Sequence, residues 1–123
     1  MNRITITLPW PSSSLHAHAK GHWRWKAKAT KTHRKAALLA SLAAGVQRIK
    51  QMRIAIVDYH FYMPDKRNRD AANLIQASKP YIDGIADSGL IAGDNYKQLI
   101  IDGVHVSVDT ENPRVELTFT RCE

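Results

Sequence analysis

The chain of 123 residues predicts one small α/β (α+β) domain over residues 1–123. Its expected form is a mixed β-sheet with two helices packed against it, in the order β-α-β-α-β-β. Three observations carry this expectation. Residues 2–8 and 114–119 alternate apolar with polar side chains, the period-two pattern of half-buried strands. Residues 52–63 carry apolar side chains on both parities, as a central strand does. Two segments, from Thr32 and from Ala71, repeat apolar residues at helical spacing. This length can bury a core without disulfide or metal staples.

In the first strand Ile4, Ile6 and Leu8 alternate with Arg3, Thr5 and Thr7, and Pro9 and Pro11 end the ladder because proline has no N–H to donate. A basic loop is expected from there to about Thr30. Leu38, Leu39, Leu42, Ala43, Val46 and Ile49 then form the stripe of a first helix, with Thr32 as a possible N-cap and Lys31, Arg34, Lys35, Arg48 and Lys50 mostly off the stripe. Along 52–63 the apolar parity switches near Ile56, which implies either a strand covered on both faces or a bulge there. The second helix runs through Leu74, Ile75, Ser78, Ile82 and Ile85, with Pro80 expected to kink or shorten it. Residues 97–108 and 115–119, joined by the turn 109–113, read as a C-terminal hairpin.

Charge is unevenly distributed. Eleven of the eighteen Lys and Arg residues and none of the acids precede Asp58, while all eleven acids and seven cations follow, so the two parts carry about +11 and −4. This asymmetry points to a polyanion met by the N-terminal part. There Lys20, Arg24, Lys26, Lys28 and Lys31 interleave with Trp23 and Trp25, a composition suited to neutralising phosphates and stacking unpaired bases. The competing reading packs the tryptophans on the domain and leaves the lysines solvated. His16, His18 and His22 lack acidic or cysteine partners nearby, which argues against a metal cluster. The single Cys122 has no intramolecular disulfide partner, and no 18-residue apolar run is present. A cytoplasmic protein without a membrane segment is expected.

Chemistry concentrates between Met63 and Asn95. Lys66, Arg67 and Arg69 precede Asp70, which stands at a helix start, and Asp94 lies in a Gly-Asp-Asn turn beyond that helix. An N-cap role accounts for Asp70 alone. The cations beside it add a second possibility, since phosphodiester hydrolysis needs positive charge to seat phosphate and carboxylates to hold Mg²⁺.

The run Pro64-Asp65-Lys66-Arg67-Asn68-Arg69-Asp70, with Asn73-Leu74, Lys79-Pro80, the segment Asp83 to Ile91, Gly93-Asp94-Asn95 and Leu8-Pro9-Trp10-Pro11-Ser12, resembles the RusA-type Holliday junction resolvases of bacteria and their prophages. The resemblance implies a homodimeric endonuclease that nicks branched DNA, the four-way junction, with Mg²⁺ (or Mn²⁺), in a bacterial or phage-infected cell. It implies catalytic and metal-holding roles for Asp70 and Asp94; beside them Lys79 is the candidate catalytic cation and Asn73 a supplementary metal ligand read from this chain's own residues. DNA contacts would come from Lys66, Arg67, Arg69 and the basic Lys20–Lys31 region with Trp23 and Trp25.

The chain departs from the family pattern Arg-Asp-x-Asp-Asn-Leu at Ala72, where a catalytic aspartate is expected. It departs again at Gly93, the first of two paired aspartates, and at Gln76, the place of a catalytic lysine; Lys79 is the next residue on the same i, i+3 track. Three explanations compete for Ala72: Asp65 or Asp58 stands in, the protein is a junction binder without nuclease activity, or alanine was introduced to trap a complex. A weaker alternative to both DNA readings is a basic RNA-binding protein.

Overall fold

The architecture is seen in a computed structural model, which describes residues 2–12 and 23–123. Four strands, β1 (Arg3–Pro9), β2 (Ala55–Met63), β3 (Leu99–Val108) and β4 (Arg114–Arg121), form one mixed sheet in the order β1-β4-β2-β3. Helices α1 (Trp23–Ala43), α2 (Ala71–Ala77) and α3 (Lys79–Asp87) complete the fold with a 3₁₀ turn at Val46–Arg48. The expected small mixed α+β domain is therefore observed.

The period-two pattern determines which side chains enter the core. Ile6 and Leu8 of β1, Val57, Tyr59 and Phe61 of β2, and Val115, Leu117 and Phe119 of β4 all point to one buried face. Leu74, Tyr81, Ile82 and Ile85 from the helices meet them. Burying each large side chain of this kind contributes about 1.5–3 kcal/mol. The opposite face carries Thr5, Thr118, Asp58, His60, Tyr62 and Glu116, and no helix among the described residues covers it.

Four local expectations are corrected. Helix α1 takes in residues from Trp23 on, not from Thr32, so the described part of the expected basic loop, residues 23–30, is helical. Its buried face consists of the small residues Ala37 and Ser41, while Leu39 and Leu42 stay exposed. Small side chains win that face because α3 approaches closely at Gly84, leaving no room for leucine. The parity switch near Ile56 has a different origin: β2 starts only at Ala55, Met52 bridges separately to Ile91, and the register irregularity lies opposite Val57 and Tyr59 in β3. Finally, β3 and β4 are not a hairpin. β2 lies between them, parallel to β3 and antiparallel to β4. The connecting turn crosses the end of β2, where Asp109 N–H donates to the Met63 carbonyl at 2.9 Å. Pro80 does break the second helix, as its missing N–H and ring require: α2 ends at Ala77 and α3 starts at Lys79.

A histidine ties α1 to the end of β1. His33 Nε2 accepts from Ser12 N–H at 3.1 Å, and its ring stacks on Tyr81 with centroids 5.3 Å apart. Tyr81 in turn donates its hydroxyl to the Pro9 carbonyl at 2.6 Å. Burial lowers the His33 pKa, only partly opposed by the nearby Ala29 carbonyl, and among the described residues its buried Nδ1 makes no well-formed hydrogen bond. The unfolded chain, with a histidine pKa of about 6.5, takes up the proton first as pH falls, so stability declines from there toward the lower folded-state value. Thermal melts between pH 7.5 and 5 should show this decline, with a shallower slope for His33→Gln; equal slopes in the two proteins would contradict the assignment.

Candidate functional site

β2 runs out of the sheet at Met63 into an irregular segment that Asp65 organises. Its carboxylate accepts from Arg67 N–H at 3.0 Å and from Arg69 Nη1 and Nη2 at 2.8 and 3.2 Å. These hydrogen bonds, led by that from Arg69, hold the Asp65 carboxyl well below the usual carboxylate range. The Arg69 guanidinium also lies over Trp10, 5.6 Å from the ring centroid, and Trp10 packs edge-on against Phe61. Arg69 is thus a structural cation, and Arg67 shares its carboxylate. Of the three cations before Asp70, Lys66 alone faces solvent without an ion pair among the described residues.

Asp70 is the N-cap of α2, with extended φ −77° and ψ 123°, and its Oδ1 accepts from Ala72 N–H at 2.9 Å. Asn73 is half-buried in the first turn, and Gln76 is exposed. Lys79 lies beyond the other end of α2, whose seven residues span about 10 Å.

The Lys79 ammonium is held between two carboxylates, donating to Asp83 Oδ1 at 2.5 Å and also to Asp94 Oδ2. Burial opposes its charge, but the hydrogen bonds to Asp83 and Asp94 outweigh this and raise its pKa. The Asp94 carboxyl is correspondingly held below its ordinary value, mainly by Lys79, and is ionised at neutral pH. Asp83 is the functional candidate that reading the sequence missed. Its i, i+4 spacing from Lys79 on a helix was the available signal.

The structure therefore brings together Lys79 and Asp94, while Asp70 shares no hydrogen bond or ion pair with either among the described residues. The acids considered as stand-ins for Ala72 are otherwise engaged. Asp65 holds the two arginines, and Asp58 accepts from Gly103 N–H at 2.8 Å on the open sheet face. Among the described residues no group of three or more His, Cys, Asp or Glu side chains is arranged to hold a metal ion. Asp83 and Asp94 nonetheless form a pair of hard oxygen donors already gathered around one positive charge, a donor chemistry that fits Mg²⁺ or Mn²⁺.

A basic surface lies on the helix clamped beside this cluster of charges. Trp23 and Trp25 are 69% and 67% exposed on the first turn of α1, so neither is packed into the domain. Arg24 lies over the Trp23 ring, and Lys26, Lys28 and Lys31 are exposed. Trp23, Lys26, Thr30, Lys31 and Arg34 line a shallow hollow of about 560 Å³. Lys20 falls outside the described residues, as do His16, His18 and His22. Arg34 is committed to Asp87 of α3 by a two-point ion pair at 2.6 and 2.8 Å, and this hydrogen-bonded pairing raises its pKa well above the ordinary value. The same pairing fixes α1 against the helix that carries Lys79 and Asp83.

No helix among the described residues is long and apolar enough to cross a membrane. No protein-family model matches the chain, and no curated protein matches its sequence.

Proposed function

We propose that the protein acts on branched DNA as a RusA-type, structure-selective endonuclease, working as a homodimer on four-way junctions in the cytoplasm of a bacterial or phage-infected cell. The observation that carries this reading is a juxtaposition. A lysine-rich, tryptophan-bearing helix end is clamped through Arg34–Asp87 to the helix presenting Lys79 and Asp83 beside Asp94. Lys26, Lys28, Lys31 and Lys66 neutralise phosphates, and the exposed indoles offer faces to bases unstacked at a branch, worth ~1–3 kcal/mol each. Asp94 and Asp83, with Asp70 as the more distant candidate, would hold Mg²⁺ or Mn²⁺. When bound, the ion supplies charge neutralisation at the phosphodiester and lowers the pKa of an attacking water. Lys79 positions these carboxylates and offers a positive charge to a phosphate oxygen.

One observation favours a second reading, a junction-binding protein that does not cut. Ala72 offers no carboxylate, and its N–H occupies Oδ1 of Asp70. Labelled four-way junction incubated with the protein and Mg²⁺ or Mn²⁺, then run on denaturing and native gels, separates the two. Paired symmetric nicks are the expected result. A shifted but uncut junction supports the binder, and equal affinity for linear duplex, RNA and junction counts against both.

A further inference from the structure

The other end of the molecule carries a second basic feature. Arg48, Lys50, Arg53 and Arg121 converge on an open hollow of about 470 Å³ that Asn2 also lines. The strands place it where β1 and β2 begin and β4 ends. Its floor is Arg121, whose side chain is 13% exposed and whose guanidinium donates to the Lys50 and Gln51 carbonyls at 2.6 and 3.1 Å. Its rim is Arg53, 78% exposed, with Arg48 and Lys50 beside it.

Among the described residues, the one acidic residue lining this hollow is Glu123. Its carboxylate accepts from Arg53 Nε at 2.7 Å, from the Arg53 backbone N–H, and from Arg121 Nη1 at 3.2 Å. The hollow thus already holds an oxyanion, by side-chain and main-chain donors together. Arg53 and Arg121 are paired with Glu123, whereas Arg48 and Lys50 have no ion pair among the described residues. A wide, open, polar hollow with surplus cations at its mouth suits one stretch of a long polyanion better than a small enclosed anion.

Helix α1 relates this hollow to the surface described above. Its 21 residues span about 30 Å, from the exposed tryptophans at one end to the 3₁₀ turn that delivers Arg48 at the other. That distance corresponds to roughly nine base pairs of duplex at 3.4 Å each.

We propose that the hollow formed by Arg48, Lys50, Arg53 and Arg121 is a second phosphodiester-binding site, which grips a DNA duplex about nine base pairs from the contacts made at the start of α1. The inference rests on the DNA-binding reading and adds to it a far anchor that sets the length of arm the protein can hold. Short arms that end before the hollow lose the contact; longer arms gain nothing more.

The test compares wild type, a far-end variant (Arg48→Ala/Lys50→Ala/Arg53→Ala) and a near-end variant (Lys26→Ala/Lys31→Ala/Lys66→Ala). Each is titrated by fluorescence anisotropy with a labelled 30-base-pair duplex and a labelled four-way junction between 50 and 300 mM KCl. The far-end variant should bind about 10- to 100-fold more weakly at low salt, and its log–log salt slope should be lower by about 2 to 3, since each lost phosphate contact removes about 0.9. If the triple variant does not fold, Arg48→Gln/Lys50→Gln, which leaves both Glu123 ion pairs intact, should lower the slope by about 2. A wild-type slope in the far-end variant beside a reduced one in the near-end variant overturns this inference and leaves the DNA-binding reading standing. Wild-type protein that binds neither probe overturns both.

Discussion

Gly84→Ala is expected to lower the melting temperature by about 10 °C, on the order of 3 kcal/mol, the largest loss of stability expected from adding one methyl group to this protein. A Cβ at position 84 would lie inside the van der Waals envelope of the Arg34 carbonyl oxygen, 3.0 Å from the Arg34 carbonyl carbon and 2.8 Å from Ala37 Cβ. The obstruction is one main-chain carbonyl and the Ala37 methyl, neither of which can swing aside by a rotamer change, so α1 must move away from α3. That movement also strains the Arg34–Asp87 pair, the clamp between the basic helix and the acid pocket. Gly45→Ala is a useful contrast. Gly45 has φ 85° with nothing within 4 Å of where a methyl group would sit, so its cost is the left-handed backbone alone, about 1 kcal/mol. Urea or thermal unfolding of both variants checks the ranking, and a Gly84→Ala protein as stable as Gly45→Ala would refute the close helix contact.

The second large effect concerns chemistry at Asp94 and at position 72. Asp94→Asn should reduce metal-dependent junction cutting by about 10- to 100-fold or more, the scale seen when a metal ligand or its supporting partner is lost. It should leave junction binding within about threefold, because the proposed phosphate contacts lie on the exposed cations of α1. Ala72→Asp should act in the opposite direction and raise cutting at least tenfold, because it adds a carboxylate two residues from Asp70 at an exposed position on the first turn of α2. Single-turnover rates with Mg²⁺ and Mn²⁺ measure both variants. Equal rates for wild type and Asp94→Asn would remove the Lys79–Asp83–Asp94 cluster from the mechanism, whereas an unchanged Ala72→Asp would place the missing function elsewhere.

Strands with clean alternation were legible directly. Ile6 and Leu8 in β1, and Val115, Leu117 and Phe119 in β4, lie where a period of two puts them, because one face is buried and a shift of one residue would expose every apolar side chain. Pairing order was not legible. The stretch between Val108 and Arg114 suits a hairpin turn locally, yet the wholly apolar inward face of β2 belongs at the centre of the sheet and separates β3 from β4. In α1 the leucines misled for a related reason, since the closest helix contact is made by the residues with least side chain, Ala37 and Gly84. At the candidate site the cap role of Asp70 was readable from its position. The fate of Arg67 and Arg69 was not, because it depends on Asp65 turning back in an irregular segment.

The irregularity in β3 bears on how the protein survives at high concentration. This ten-residue strand is one of the two edges of the sheet, unpaired on its outer side among the described residues, and leaves Ile100, Ile101, Val106 and Val108 exposed, the kind of border to which a stray extended chain adds itself. The register shift opposite Val57 and Tyr59 interrupts that border near its middle, where Asp58 fastens Gly103 N–H. What remains are two short apolar runs out of step with one another, so an incoming strand that matches one run is misaligned with the other. The interruption that disturbs the ladder thus discourages uncontrolled chain addition along its outer margin.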